Sequence, residues 1–363
     1  MATTHNRARA TISWRLLGQI AVVVFCMLFL TLPVIEMVTA MVAEPTLLTR
    51  QLLIGLTNGA YIALIALGYT LVYGIVELIN FAHGDLYMLG AFFSLSLIGT
   101  FALTPETPWL IRGPLLVVIL LATMAFTAGL NIVIDRWAYR RLRGHGSRMA
   151  ALISAIGISF IFQNLGLLWG YLRLPFMNGV MGSNAVAPKS FPALFPSINV
   201  LDGTGVRLGL KDLIVIGVSV VLLLALYVFV TRTRLGKAMR ATAQDRDAAA
   251  LMGIDVNRTI SLAFLLGGAL AGASGMLVGL YNGTAVFDMG FTAGLRSFTA
   301  AVLGGIGNIV GAMLGGLLIG VISALSDQYI STKWTNAVVF AILVLILVFR
   351  PTGLLGDDTA QKA

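Results

Sequence analysis

The sequence predicts an all-α, polytopic bundle of about eight to ten membrane-spanning helices. Three observations carry that expectation. Of 363 residues, 58% are hydrophobic and only 11% charged, against about a quarter charged in soluble domains. Apolar runs long enough to cross a hydrocarbon core of about 30 Å recur along the chain, which requires helices rather than a barrel. The basic residues lie between those runs, so the net charge of +9 reports topology and gives no reason to invoke nucleic acid. The single cysteine, Cys26, excludes an intrachain disulfide, and the three histidines form no metal-binding pair. No metal or cofactor is expected.

Residues 1–15 carry Arg7, Arg9 and Arg15 and precede an apolar run at 16–40. This run is too long for a cleaved signal peptide and reads as a first span running from inside to outside. A second span, 51–76, contains Gly55, Asn58, Gly59, Tyr61, Gly68, Tyr69, Tyr73 and Gly74, too many small and polar residues for a helix facing lipid. The island 77–85 that follows has no Lys or Arg, unlike a cytoplasmic loop, and reads as a structured helix break facing the protein interior. Further spans are expected at 86–103, 115–134, 149–171 and 213–230, with a cytoplasmic loop at 135–148 and a long outer segment at 172–210.

Between 232 and 258 the chain is water-soluble in character and holds six basic residues, Arg232, Arg234, Lys237, Arg240, Arg246 and Arg258, which places it on the cytoplasmic side. One continuous helix is expected over 236–252. On it Asp245, Ala249 and Gly253 recur at i, i+4 and i+8, giving a narrow face with little bulk. Such a face suits insertion into a cleft of another protein, or a loop helix lying on the membrane or on its own bundle. The next span, 260–281, carries a small-residue ladder at Ala263, Gly267, Ala271, Gly275 and Gly279, whose expected role is close helix packing. Residues 298–322 are still richer in glycine and form either one span or two segments meeting at 305–307. The last span is 334–349.

Sixteen of the 24 Lys/Arg fall in segments assigned to the cytoplasm, which supports this orientation with both termini inside. No span carries an arginine array or a potassium-type filter. Acids within the spans are few and lie near their ends, unlike an ion-coupled carrier. No hydrolase motif and no P-loop are present, so energy for transport has to come from a separate ATPase.

The chain resembles the permease subunits of ABC importers for branched-chain amino acids, specifically the H-type of the paired H and M subunits. The matching stretches are Gly68-Tyr69-Thr70-Leu71-Val72-Tyr73-Gly74, Ile79-Asn80-Phe81-Ala82-His83-Gly84-Asp85, and Leu152-Ile153-Ser154-Ala155-Ile156-Gly157. Further matches are Ala243-Gln244-Asp245 through Gly253-Ile254, Phe298 through Gly307, and Arg350-Pro351-Thr352-Gly353-Leu354-Leu355-Gly356. The resemblance covers 47–356 as one permease domain, with 1–46 an extension and 357–363 a tail. It implies a coupling helix in which Asp247-Ala248-Ala249, three residues and Gly253 match the family's pattern, with Asp in place of Glu. It also implies an M-type permease, two ATP-binding subunits and a periplasmic binding protein as partners, around a multi-pass protein in the lipid of a bacterial inner membrane. Urea, short amides or other amino acids stay open as cargo, as does a carrier or channel working without an ATPase. Asn58, Asn80, His83, Gly84 and Asp85 are candidates for the translocation path, the alternative being that Asn80, His83 and Asp85 cap the helix break.

Overall fold

The computed structural model describes residues 39–78, 80–142, 148–169, 186–203 and 206–356. The expected first span lies outside them except for its last two residues, as do the choice between span and signal peptide and the tail 357–363.

The described chain is helical almost throughout. The helices are α1 (Pro45–Val76), α2 (His83–Thr100), α3 (Trp109–Ile134), α4 (Arg148–Leu168), α5 (Leu210–Arg232), α6 (Arg234–Gln244), α7 (Arg246–Leu251), α8 (Val256–Asn282), α9 (Met289–Gly304), α10 (Ile309–Ser326) and α11 (Thr335–Phe349). Wide π turns extend α3 through Asp135–Tyr139 and α10 through Asp327–Ser331. Two-residue strands, β1 (Lys189–Ser190) and β2 (Thr284–Ala285), pair antiparallel with Lys189 opposite Ala285. They hold the 186–203 segment over the C-terminal end of α8, where the Phe191 ring covers Gly279.

Among the described residues six helices are long and apolar enough to cross a membrane: α1, α3 with its extension, α4, α5, α8 and α10 with its extension. The helices α2, α9 and α11 have 18, 16 and 15 residues; at 1.5 Å per residue each falls short of about 30 Å. The centre belongs to α1 and α8, whose apolar windows are 83% and 78% buried, against 28% for α4 and α5. Those last two present their apolar side chains outward, as lipid-facing helices do.

Backbone contact between glycines sets the core. A side chain on Gly320 of α10 would meet the Gly59 nitrogen of α1 at 2.2 Å, and one on Gly316 would meet Ala63 at 2.5 Å. On α8, Gly275 lies against the Tyr87 carbonyl of α2, at 2.0 Å from where its Cβ would stand, and Gly272 against Thr127 of α3 at 2.1 Å. Gly267 faces Gly68 of α1, and Ala271 is wholly buried. The ladder read at Gly267, Ala271, Gly275 and Gly279 thus touches α1, α2 and the outer loop.

The structure corrects several expected boundaries. Of the two expectations for 298–322, the structure has the two segments: α9 and α10 meet at a break over 305–308, where Gly305 and Gly307 take φ of 105° and 94°, backbone that side chains disfavour. The helix expected from 86 begins at His83, so the last three residues of the polar island form its first turn. Helix α3 starts before 115 and runs on past 134, taking in Arg112 and Arg136; Asp135, expected in a cytoplasmic loop, is fully buried. The helix expected over 236–252 is two helices, not one. Asp245 is extended (φ −157°, ψ 116°) and its carboxylate accepts the Asp247 and Ala248 amides at 2.9 Å each, which ends α6 and caps α7. Asp245, Ala249 and Gly253 therefore share no helical face.

Gly320→Ala has to push α10 from the α1 backbone and is expected to destabilise the protein by about 1–3 kcal/mol, read as a lower apparent melting temperature in detergent. Gly157→Ala, whose new methyl would meet nothing within 4 Å, should leave melting unchanged or slightly raised.

Candidate functional site

Helix α1 ends at Glu77 in the left-handed conformation (φ 55°), and its amide still bonds the Tyr73 carbonyl. The chain then turns back into the bundle, so α2 starts beside Gly68, well up the length of α1. A side chain on Gly68 would stand 2.2 Å from His83 Nε2, so glycine there is what admits the imidazole. His83 is 1% exposed, and the Tyr69 ring meets it edge-on at 4.8 Å. Neither ring nitrogen makes a hydrogen bond of good geometry.

Gly84 and Asp85 face α9. A Cβ on Gly84 would lie 2.4 Å from the Gly290 carbonyl, and one on Gly290 would lie 2.6 Å from Asp85 Oδ1. The first turns of α2 and α9 therefore converge on the Asp85 carboxylate, and both helix dipoles favour its charge. Its Oδ2 accepts the Ser159 hydroxyl of α4 at 2.5 Å. Asn80 is tied to α3: its amide donates to Asn131 Oδ1 at 3.3 Å, its own oxygen accepts the Tyr139 hydroxyl at 3.4 Å, and Asn131 donates to the Phe264 carbonyl of α8 at 2.6 Å. No side chain caps α2, so the polar residues of this break brace neighbouring helices in place of capping their own.

The second break closes against the first. Gly307 faces Gly74 at 3.1 Å from where a Gly74 side chain would begin. Its loose backbone groups are taken up by the chain after α11: the Leu354 and Leu355 amides donate to the Leu303 and Gly304 carbonyls at 2.8 and 3.0 Å, and Asn308 donates to the Leu355 carbonyl at 2.7 Å. The closing motif 350–356 is thus a clamp on the α9–α10 break.

Between the two breaks lies a crevice of about 10 Å³, roughly the space of one water. Val72, Leu78, Phe298, Ala301 and Ile306 give it apolar walls, with Asn80 and His83 as polar points. Gly84 and Asp85 pack behind it. Asn58 does not join them: it is half-buried on α1, ten residues before Gly68 and about 15 Å away along the helix.

In the segment between α5 and α8, Ala249 is buried and Gly253 takes φ 82°, ending α7. The exposed residues are Asp247, Ala248, Ala250, and above all Leu251 and Met252 at 89% and 83% exposure. Sequence reasoning missed both of these and also Arg246, whose guanidinium donates to the Ile75 carbonyl at 2.7 and 3.1 Å. That carbonyl is one of the acceptors that α1 leaves unpaired at its end, and a cation there also suits the helix dipole.

A family model described as branched-chain amino acid transport system / permease component matches residues 51–347. The chain belongs to this family. It is 40% identical over 319 residues to the high-affinity branched-chain amino acid transport system permease protein BraD of Pseudomonas aeruginosa, a match covering 86% of this chain and 97% of that one. To LivH of Escherichia coli, a permease protein of the same kind of system, it is 38% identical over 317 residues, with the same coverage. The probable branched-chain amino acid transport permease LivH of Methanocaldococcus jannaschii is 28% identical over 306 residues, covering 82% of this chain and 89% of that one. The protein is accordingly a multi-pass permease subunit of a membrane transport complex, and the two clamped breaks are features of that permease.

Gly68→Ala should displace His83 and lower solute uptake by reconstituted complex at least tenfold, whereas adding His83→Ala should recover part of the loss. A double-mutant cycle on uptake rates checks this; additive losses would mean that the two residues do not act as a pair.

Proposed function

We propose that this permease is the H-type half of an ATP-driven importer of branched-chain amino acids in a bacterial inner membrane, with both termini in the cytoplasm. In this reading 47–356 is the permease domain. An M-type permease completes the path, two ATP-binding subunits supply the energy, and a periplasmic binding protein delivers leucine, isoleucine or valine. The chain is no enzyme, having no P-loop of its own.

The observation that carries the mechanism is the Arg246–Ile75 link. Asp247, Ala248, Leu251, Met252 and Gly253 form the surface the ATP-binding subunits grip, with exposed Asp245 capping its first turn and Ala249 packed beneath it. Motion of α7 passes through Arg246 to the last turn of α1, the turn that supplies Val72 and Tyr73 to the crevice. Shifting that turn widens the gap between the two breaks, where Asn80 and His83 offer polar contacts to an α-amino or carboxylate group. Asp85 and Gly84 hold α9 in register. Asn58 belongs to the path only on the outer side. The apolar walls favour an aliphatic side chain over urea or a short amide.

The deciding experiment is reconstitution. Proteoliposomes holding both permeases, the ATP-binding subunits and the binding protein should take up leucine only with ATP, and the permease alone should take up none. Ion-driven uptake by the permease alone would overturn the reading. Two variants probe the coupling. Arg246→Gln removes a charged hydrogen bond and should cut uptake about tenfold while ATP hydrolysis continues. Met252→Asp should reduce co-purification of the ATP-binding subunits. It is a cleaner probe than any change at Gly253, where positive φ would add backbone strain of its own.

A further inference from the structure

Where α3 passes into its π turn, a second cleft opens, of about 520 Å³, lined on one side by Ile132, Arg136 and Arg140 and on the other by Arg258, Leu262 and Leu265. Both helices show the same gradient. On α3, Ile132 lies deeper in the bundle and Arg140 about 12 Å further toward the cytoplasm. On α8, which runs the opposite way, Arg258 sits in the first turn, and Leu262 and Leu265 lie deeper. The π turn widens the helix between Arg136 and Arg140, as such turns do at functional sites.

The charges in the cleft are unbalanced. Among the described residues Arg136 and Arg140 have no ion-pair partner, and both are exposed. Asp255 is the one exposed carboxylate in the lining, paired to Arg258 at 3.0 Å. Asp135 is fully buried beneath the cleft wall, where its Oδ2 accepts the hydroxyl of Ser261, a lining residue, at 2.5 Å. Trp137, 75% exposed between the two α3 arginines, has the amphipathic indole that settles at headgroup depth.

We propose that this cleft binds the phosphate of an anionic phospholipid, held by Arg136, Arg140 and Arg258, with an acyl chain against Ile132, Leu262 and Leu265. Cytoplasmic basic residues in general follow from topology. Three of them around one cleft with an apolar floor match a ligand that is anionic at one end and hydrocarbon at the other. The site is separate from the crevice and does not depend on which solute is carried.

The test uses the purified full chain in mixed micelles of equimolar phosphatidylglycerol and phosphatidylcholine, with bound lipid measured by native mass spectrometry. The wild type should retain phosphatidylglycerol in preference by on the order of tenfold. Arg136→Gln/Arg140→Gln/Arg258→Gln should abolish the preference, and the corresponding triple Arg→Lys variant, which keeps the charge, should retain most of it. Arg50→Gln/Arg207→Gln, on the outer face, should change nothing. An unchanged preference in the triple Gln variant would overturn the proposal. Release of the lipid by millimolar inorganic phosphate would show a site for the free anion and overturn it too. Loss of bound ATP-binding subunits from the triple Gln complex, with lipid preference intact, would assign the arginines to that partner instead.

Discussion

A polypeptide inside hydrocarbon has no water to complete its hydrogen bonds, and this permease interrupts its helices twice within the bundle. Each interruption frees backbone carbonyls that cost several kcal/mol if left bare, and much of the architecture answers that cost. At the first break the left-handed Glu77 keeps its own amide in the helix, and Arg246 at the start of α7 covers the Ile75 carbonyl. At the second, turn residues after α11 supply two amides to the end of α9. The broken ends are thus held by segments remote in sequence. A shift of those segments changes the environment of both breaks.

Close packing follows from the same demand. For α2 to start inside the bundle, its first residues need room between α1, α8 and α9. Gly68, Gly267, Gly290 and Gly294 provide it by presenting bare backbone. Without a hydrophobic effect between helices in lipid, these contacts rest on dispersion and on the backbone approach that glycine allows. The central pair α1 and α8 is consequently dense and poor in freedom, and α4 and α5 stand outside it with their aliphatic side chains turned to lipid.

How far this was legible in the sequence depended on the range of the signal. The ladder on α8 and the apolar runs are periodic and local, and they led to the right helices. The interior-facing break was legible because 77–85 lacks the basic residues a cytoplasmic loop would carry. The α6–α7 break was not: aspartate is tolerated within helices, and nothing near Asp245 announces that its carboxylate caps the Asp247 and Ala248 amides. Pairings over long separations were invisible for a plainer reason. Asn80 with Asn131, Asp85 with Ser159 and Arg246 with Ile75 leave no periodic trace, so the path candidates could be named but not joined. Asn58 was grouped with the others on polarity alone, and distance along α1 separates it.

The clamp of 350–356 on the α9–α10 break has a consequence for biogenesis. Leu354 and Leu355 are made roughly 50 residues after the carbonyls they cover, which at ordinary translation speed is a delay of about 2–10 s. During that interval the end of α9 is without the amides that complete its junction with α10. The nascent chain therefore needs the translocon or a holding factor to shelter this hairpin, and a chain truncated before residue 350 would present the quality-control machinery with an unfinished joint.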